Sequence, residues 1–207
     1  MDPLLRLSSA GRAVFVGTGV QARSHLEAIA CVRRLSDVRV WSPTESHRAA
    51  FVRDMRHLAM DLRAAVSVPE AVDGADVIVV ATAAVTPVLK SAWVRDGAHI
   101  CAVGACRPSH RELDGALVAR CRLFVDSKIG ALAEAGDIIL AIQEGAITSA
   151  AIVGELGELL TGAVPGRQDA TQVTVFKSLG MAVEDVAAAH LAYTRAIERR
   201  IGTRLAM

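Results

Sequence analysis

Short apolar runs alternate with amphipathic segments along the first 127 residues of the chain. Runs rich in Val, Ile and Ala and bounded by turn residues predict buried strands, and the segments between them have helical periodicity. The predicted strands are residues 13–17, 37–41, 64–68, 76–82, 98–104 and 122–126, and the predicted helices are residues 20–35, 44–58, 69–73 and 111–121. This alternation predicts an α/β fold with a doubly wound, mainly parallel sheet.

The pattern changes after Ser127, where it predicts helices without intervening strands. The helical segments are residues 128–135 and 137–160, the second of them broken by glycines, and a turn-rich loop follows. A last strand over residues 172–177 and a long amphipathic helix over residues 181–200 complete the pattern. We therefore expect one domain over residues 1–171 and a C-terminal strand and helix over residues 172–207.

Composition excludes several classes of protein. Hydrophobic residues make up 52% of the 207 residues, aromatic residues only 3%, and the net charge is +1. No apolar run approaches the roughly 18 residues that a membrane helix needs, and the charge balance provides no field for nucleic acid or anionic lipid. The four cysteines have neither disulfide-framework nor zinc-site spacing. With no secretory signal at the start, we expect a cytoplasmic protein with reduced thiols and no metal.

Residues 14–22 read Val-Phe-Val-Gly-Thr-Gly-Val-Gln-Ala, a G-x-G-x-x-A pattern between a predicted strand and a predicted helix. Gly17 permits the tight turn, Gly19 lets the backbone approach a phosphate, and the small Ala22 allows the helix to pack closely on the strand. The start of the helix then offers free amides to an anion. The pattern predicts a Rossmann-like domain that holds the pyrophosphate of a nicotinamide dinucleotide.

The end of the second predicted strand bears on the choice of cofactor. A carboxylate there would bond the ribose 2′-hydroxyl and repel a 2′-phosphate, and none follows Trp41. Ser42, Pro43 and Thr44 instead offer hydroxyls and helix-start amides, with His47 and Arg48 one turn further on. The segment favours NADPH over NADH, although Ser42 and Thr44 are also typical helix caps.

With this motif the chain resembles the ornithine cyclodeaminase/mu-crystallin family. Further segments carry the resemblance over about residues 14–193: GAHICAVGACRP from residue 97, RELD from 111, VDS from 125, GELGE from 154 and VFKSLGMAVED from 175. The sequence is most similar to the mu-crystallin branch, whose members are NADPH-dependent ketimine reductases that also bind thyroid hormone. The resemblance implies NADPH-dependent reduction of a small cyclic ketimine.

The resemblance also implies site residues. It assigns the pyrophosphate to Thr18, Val20 and Gln21, the 2′-phosphate region to Ser42, Pro43 and Thr44, the nicotinamide half to Thr82, Ala83, Val103 and Ser178, and the substrate pocket to Glu134. Core packing is the alternative for Ala83 and Val103, and a solvated helix position is the alternative for Glu134. Thr82 has independent support, because ligands bind at the carboxyl ends of parallel strands.

Three departures from the family pattern limit what the resemblance implies. Cys106 stands where the cyclodeaminases carry an Asp, so cyclisation of ornithine loses its acid/base group. Pro43 stands where NADPH-using members often have an Arg. The family's substrate-binding and dimerisation region precedes the dinucleotide domain, and we expect this chain to lack it. A catalytically inactive NADP(H)- or ligand-binding protein therefore stays an alternative, as does an amino-acid dehydrogenase or cyclodeaminase.

Two further side chains are candidates for chemistry. His25 follows the phosphate turn, where packing against the sheet is favoured over catalysis. Lys177 ends the last predicted strand and could approach substrate or cofactor, although strand alternation is equally compatible with an outward orientation. The apolar face of the last helix predicts a homodimer.

Overall fold

The computed structural model of the chain describes residues 11–58, 61–203 and 205. These residues form an α/β fold around one eight-stranded sheet, which confirms the predicted Rossmann-like fold class. The strands are β1 (Arg12–Val16), β2 (Asp37–Trp41), β3 (Asp61–Ala64), β4 (Val77–Val80), β5 (His99–Ala102), β6 (Arg122–Val125), β7 (Ile152–Glu155) and β8 (Thr174–Lys177). The helices are α1 (Val20–Val32), α2 (Glu45–Met55), α3 (Val68–Val72), α4 (Gly115–Arg120), α5 (Lys128–Glu134), α6 (Gly136–Gln143), α7 (Leu156–Leu160) and α8 (Ala182–Arg199).

The strands are parallel and lie in the order β3-β2-β1-β4-β5-β8-β6-β7. The chain builds outward from β1 to β3 and then crosses to the other side of β1 to form β4. In such sheets the reversal opens a crevice at the carboxyl ends of the two strands beside it, here β1 and β4. Val16 lies in register with both Val80 and Trp41. The loops that follow β1, β2 and β4 therefore meet at one edge.

Alternation along β1 divides the core between the two faces of the sheet. Ala13 and Phe15 face the layer of α1 and α2, where the ring centroids of Phe15 and Phe51 lie 6.1 Å apart. Val14 and Val16 face the layer of α3 to α6. All five side chains are fully buried. Because both faces are covered at the centre of the sheet, β1 and β4 are nearly continuous apolar runs, whereas β2 alternates.

The third predicted strand, residues 64–68, is displaced from the observed one. β3 ends where the prediction begins, and Val40 of β2 lies opposite its last residue, Ala64. Ser67 then caps α3 by accepting a hydrogen bond from the Glu70 amide at 3.3 Å. Val68 packs into the core as the first residue of that helix, so its apolar character belongs to α3 and not to the strand.

Two predictions beyond residue 110 are also wrong. Residues 152–155 form β7, which pairs with β6 in the region predicted to hold helices only. Gly154 and Glu155 interrupt the apolar run that marks strands such as β4. The helix predicted over residues 111–121 begins only at Gly115. Asp114 caps it, and the preceding amides of Glu112 and Leu113 bind the side chain of Asp137 instead of extending the helix.

The last strand and last helix differ in how they contact the sheet. β8 lies between β5 and β6 and is hydrogen-bonded to both. No residue of α8 is buried by the described part of the chain. Its exposed apolar side chains are those of Val183, Val186, Leu191, Tyr193 and Ile197. The division of the chain at residue 171, whose first part includes residues outside the described ranges, stays a prediction.

Candidate functional site

The turn after β1 has a backbone that only glycine accommodates at its first position. Gly17 has a φ of 122°, and its amide donates to the Trp41 carbonyl oxygen at 2.8 Å. A Cβ atom at Gly17 would lie 2.3 Å from the carbonyl oxygen of Ala81. The absence of a side chain therefore allows the ends of β1, β2 and β4 to approach one another.

Gly19 has a different reason to lack a side chain. It precedes α1 with an ordinary φ of −73°, and a Cβ atom there would have no heavy atom within 4 Å. The protein's own packing does not require glycine at this position, and the lack of a side chain leaves the backbone open to the approach of a ligand. Ala22, the third position of the motif, is fully buried against the sheet together with Leu26.

The first turn of α1 is free to bind an anion. The first amides of a helix have no partner within the helix, and side-chain caps or acidic residues usually satisfy them. Of the helices in the described part of the chain, α1 alone has neither a capping side chain nor an acidic residue in its first turn. The pyrophosphate of a dinucleotide fits this place by charge and by the space beside Gly19.

Two cavities adjoin this turn and share Ala81 and Thr82. The β2-side cavity has a volume of about 560 Å³ and is lined by Gly17, Thr18, Gly19, Trp41, Ser42, Pro43, Thr44, His47, Ala81, Thr82, Ala83, Ala84 and Val88. The β8-side cavity has a volume of about 480 Å³ and is lined by Gln21, His25, Ala81, Thr82, Val103, Gly104, Cys106, Ser178, Leu179, Gly180 and Glu184. Together they follow the carboxyl edge of the sheet from β2 to β8.

Most of the predicted site residues line one of these cavities. The exceptions are Val20, whose side chain is 80% exposed at the start of α1, the core residue Ala22, and Glu134. Glu134 is exposed at the end of α5 and lines neither cavity. The structure thus brings the predicted phosphate, ribose and nicotinamide residues together but leaves Glu134 outside the group.

The far end of the β2-side cavity is formed by the start of α2. Ser42 is buried, and its hydroxyl oxygen accepts a hydrogen bond from the Thr44 amide at 3.3 Å. Arg48 donates to the carbonyl oxygen of Ser42, while the exposed His47 lines the cavity. No Asp or Glu is among the described residues that line it.

A buried carboxylate that the sequence analysis missed joins the loops after β4 and β5. Glu112 accepts hydrogen bonds from the amide and the hydroxyl of Thr82 at 2.6 and 2.7 Å and from the amide of Gly104 at 2.7 Å. Burial raises the pKa of Glu112, and the two hydrogen bonds from Thr82 oppose that rise. No local signal identifies this residue, because its partner Thr82 lies 30 residues earlier in the chain.

Asp126 plays a comparable part at the end of β8. Its Oδ2 accepts hydrogen bonds from the amides of Leu179 at 2.5 Å and Gly180 at 2.7 Å, and the side chain is buried. Leu179, Gly180 and the preceding Ser178 all line the β8-side cavity. The position of Asp126 directly after a strand was the signal that could have indicated it, because carboxyl ends of parallel strands form this edge.

The two other candidates from the sequence lie in different surroundings. Lys177 points into the interior, where its Nζ lies 3.3 Å from Asp137 Oδ2, and it lines neither cavity. His25 is half-buried in the wall of the β8-side cavity. Its Nδ1 lies 2.7 Å from the Gln21 carbonyl oxygen, so Nδ1 carries the proton in that contact.

Two other classes of site are absent from the part of the chain that the structure describes. No group of three His, Cys, Asp or Glu side chains is arranged to hold a metal ion. None of the helices there has the length and apolar character needed to cross a bilayer.

Comparison with known proteins adds a family match. The model of the ornithine cyclodeaminase/mu-crystallin family matches residues 4–200. The ketimine reductase mu-crystallin of Macropus fuliginosus is 46% identical over 178 residues, which are 86% of this chain and 53% of that protein. The chain therefore spans about half the length of this relative.

Solved structures agree with this match. The Δ1-pyrroline-2-carboxylate reductase of Thermococcus litoralis, solved in complex with NADH and L-proline, has a TM-score of 0.94 and 38% identity, over 98% of this chain and 63% of that one. An archaeal alanine dehydrogenase, described as a dimer with bound NAD, has a TM-score of 0.91 and 30% identity, over 99% of this chain and 63% of that one.

Proposed function

Since the chain belongs to the ornithine cyclodeaminase/mu-crystallin family, we propose that it binds a reduced nicotinamide dinucleotide and reduces the C=N bond of a small cyclic ketimine. The observation that carries the proposal is the uncapped first turn of α1 at the crevice between β1 and β4. The names of the relatives support the reaction class, because two of them are reductases of C=N bonds.

The two cavities suggest how the dinucleotide would lie. We assign the pyrophosphate to the turn of Thr18 and Gly19 and to the first residues of α1, Val20 and Gln21. The adenosine half would follow the β2-side cavity toward Thr44. The nicotinamide half would pass Thr82, where the two cavities meet, and reach the β8-side cavity. Ala83, Val103 and Ser178 would border the nicotinamide in this arrangement, and Ser42 and Pro43 the ribose.

The reaction balances without a strong acid from this chain. The reduced nicotinamide supplies a hydride to the imine carbon, and the C=N bond of an iminium already protonated in solution becomes the C–N bond of an amine. Such a substrate needs orientation and electrostatic support more than proton transfer. In the β8-side cavity, Glu184 accepts a hydrogen bond from the Met181 amide at 3.2 Å, and the Cys106 thiol donates to the Val103 carbonyl at 3.2 Å. Cyclodeamination is disfavoured because Cys106 stands where the family resemblance implies the acid/base Asp of the cyclodeaminases.

We propose that NADPH is preferred over NADH. The support is the absence of Asp and Glu among the described residues that line the β2-side cavity, together with the cavity position of His47. The solved relatives described above hold NADH and NAD, so the proposal depends on this chain's own residues at that cavity. Titration of each reduced dinucleotide, followed by nicotinamide fluorescence, tests the choice: tighter binding of NADPH supports it and tighter binding of NADH contradicts it.

We also propose a homodimer. The apolar side chains of α8, such as Val186 and Tyr193, stay exposed in the described part of the chain, and one solved relative is described as a dimer. Sedimentation at micromolar concentration should give twice the chain mass of 21.8 kDa. A mass equal to that of one chain would contradict this proposal.

One assay tests the activity. The protein is mixed with NADPH and Δ1-pyrroline-2-carboxylate, and the absorbance of the reduced nicotinamide is followed over time. Substrate-dependent loss of absorbance supports the proposal, with Gly19→Val as the variant that should lose both binding and turnover. Absorbance loss that does not depend on substrate contradicts it.

A binding protein without turnover is the second candidate. It is favoured by Cys106, which stands where the family resemblance implies a carboxylate in the cyclodeaminases. In the same assay, fluorescence enhancement of NADPH without any absorbance loss would identify this alternative.

A further inference from the structure

Glu112 connects two loops of the β8-side cavity and reaches neither cavity itself. Its Oε1 accepts from the amide and hydroxyl of Thr82, and its Oε2 accepts from the amide of Gly104. Thr82 and Gly104 both line the cavity, whereas Glu112 is fully buried behind them. The carboxylate lies behind the cavity wall and therefore fixes the distance between the ends of β4 and β5 from the interior of the protein.

Gly104 allows the carboxylate to come this close. A Cβ atom at Gly104 would lie 2.4 Å from Glu112 Oε1 and 2.2 Å from the carbonyl oxygen of Thr82. Both distances are far below van der Waals contact, so any side chain would push the two loops apart. The glycine and the carboxylate together form one close-packed joint between neighbouring strand ends.

A second buried carboxylate holds Glu112 in turn. Asp137 Oδ1 accepts hydrogen bonds from the amides of Glu112 at 2.7 Å and Leu113 at 2.9 Å. Its other oxygen, Oδ2, lies 3.3 Å from Lys177 Nζ, and both of these side chains are at most 2% exposed. Lys177 ends β8 immediately before Ser178, which lines the cavity. The network thus reaches a third strand end.

Burying two carboxylates and one ammonium group has a large desolvation cost, and an apolar cluster of equal volume would pack without it. Stability alone therefore does not account for the network. Glu112 joins the ends of β4 and β5, Lys177 stands at the end of β8, and Asp137 connects these two side chains beside the β8-side cavity.

We propose that Glu112, supported by Asp137 and Lys177, is a positioning residue for the nicotinamide half of the dinucleotide. It acts through Thr82 and Gly104 and does not touch the ligand. The assignment rests on the proposed dinucleotide binding. It requires that loss of the Glu112 carboxylate weakens contacts of the nicotinamide half while contacts of the adenosine half stay as they were.

Two probes separate these halves: NADPH, and 2′,5′-ADP, which has the adenosine and both its phosphates but no nicotinamide. In Glu112→Gln the side chain keeps its shape and can still accept from Thr82, but its NH2 group faces the Gly104 amide, so one buried donor loses its acceptor. We expect the Kd for NADPH to rise about tenfold and the Kd for 2′,5′-ADP to change less than about twofold. Nicotinamide fluorescence at saturation should also fall.

Glu144→Gln is the matched control, because Glu144 is a carboxylate that pairs with Arg111 outside both cavities. It should change neither Kd. An equal rise in both Kd values for Glu112→Gln, or no rise in either, overturns the assignment and leaves the proposed function standing. Wild-type protein that binds neither of these probes nor NADH overturns the proposed function and the assignment with it. If Glu112→Gln does not fold, Glu112→Asp is measured, and the same ratio of Kd values decides.

Discussion

The two edges of the sheet differ in the side chains that hold their loops. At the carboxyl edge, carboxylates accept hydrogen bonds from backbone amides, as Glu112 does from Gly104 and Asp126 does from Gly180. At the amino edge, Asp76 accepts from the amides of Gly11 and Arg12, and arginines also donate to backbone carbonyls. The single side chain of Arg167 donates to the carbonyl oxygens of three residues, and that of Arg39 also donates to three, at the end of α3.

The direction of the helices contributes to this difference. In a parallel α/β fold each helix begins at the carboxyl edge, with free N–H groups, and ends at the amino edge, with free C=O groups. Arg39 satisfies carbonyl groups at the end of α3, and a side-chain cap or an acidic residue lies at the start of each other described α-helix. The first turn of α1 is the exception, because among the described α-helices it alone lacks both a cap and an acid. This exception coincides with the turn to which we assign the pyrophosphate.

The largest loss in the free energy of unfolding is expected when the Arg167 side chain is removed from the amino edge of the sheet. This side chain is 4% exposed and donates to the carbonyls of Gly97, Ala98 and Gln172. Arg167→Ala leaves the carbonyl oxygens of Gly97 and Gln172 without this donor, while that of Ala98 keeps the Thr174 amide at 3.1 Å, and we expect a loss of about 4 kcal/mol in the free energy of unfolding. Urea denaturation measures it, with the exposed Arg53→Ala as a control expected to change less than about 0.5 kcal/mol. If Arg167→Ala weakens NADPH binding by folded protein, the two edges are not independent.

A comparison of two glycines sharpens the account of the carboxyl edge. Gly17→Ala places a Cβ atom 2.3 Å from the Ala81 carbonyl oxygen at a positive φ, and we expect it to destabilise by about 3 kcal/mol. Gly19→Ala meets no protein atom, so it should destabilise by less than about 1 kcal/mol while still weakening NADPH binding. Denaturation and fluorescence titration of both variants test this. Equal stability losses would contradict the separate roles of the two glycines.

Asp126→Asn tests whether a carboxylate is needed behind the Ser178 turn. Asp126 Oδ1 accepts from the Ser127 amide and Oδ2 from those of Leu179 and Gly180, so an NH2 group at either position faces a donor. We expect about 2 kcal/mol of destabilisation. Thermal unfolding measures it, and the exposed Glu134→Gln serves as a carboxylate control without effect on stability. Unchanged stability of Asp126→Asn would show that any polar side chain suffices there.

The smallest expected change in the free energy of unfolding concerns a carboxylate at the amino edge of the sheet. Burial raises the pKa of Asp37, but the hydrogen bonds and charges of Arg39, Arg12 and Arg63 outweigh it, so the pKa lies below its usual value. A carboxyl group whose pKa is lower in the folded protein than in the unfolded one stabilises the fold at pH values above its usual pKa. This stabilisation is lost as the pH falls through the lowered pKa. Asp37→Asn should therefore cost about 1 kcal/mol at neutral pH and progressively less in acid.

The pH dependence is measured by urea denaturation of wild type and Asp37→Asn across the acid range. Asp61→Asn, which removes an exposed partner of Arg63, is the control and should cost less than about 0.5 kcal/mol. A stability difference for Asp37→Asn that grows on acidification would have the wrong sign for this mechanism.

Local sequence determined much of the fold but only part of the site. The strands beside the crevice and the turn at Gly17 could be predicted because their signals, apolar runs and glycine spacing, lie within a few residues. β7 was missed because Gly154 and Glu155 leave it only two consecutive apolar residues, Ile152 and Val153. Glu112 could not be predicted, because its roles depend on Thr82 and Asp137, which lie 30 residues before it and 25 after it.

The placement of β8 in the sheet has a consequence for biosynthesis. β8 lies between β5 and β6 in the sheet. Strands β1 to β5 and the pair of β6 and β7 therefore share no strand-to-strand hydrogen bonds until residues 174–177 have been synthesised and have left the ribosome. Chains fold during synthesis at roughly 5–20 residues per second. A nascent chain stopped before β8 would expose two open sheet edges at once, which are templates for aggregation. Completion of the sheet therefore depends on β8, the last strand to be synthesised.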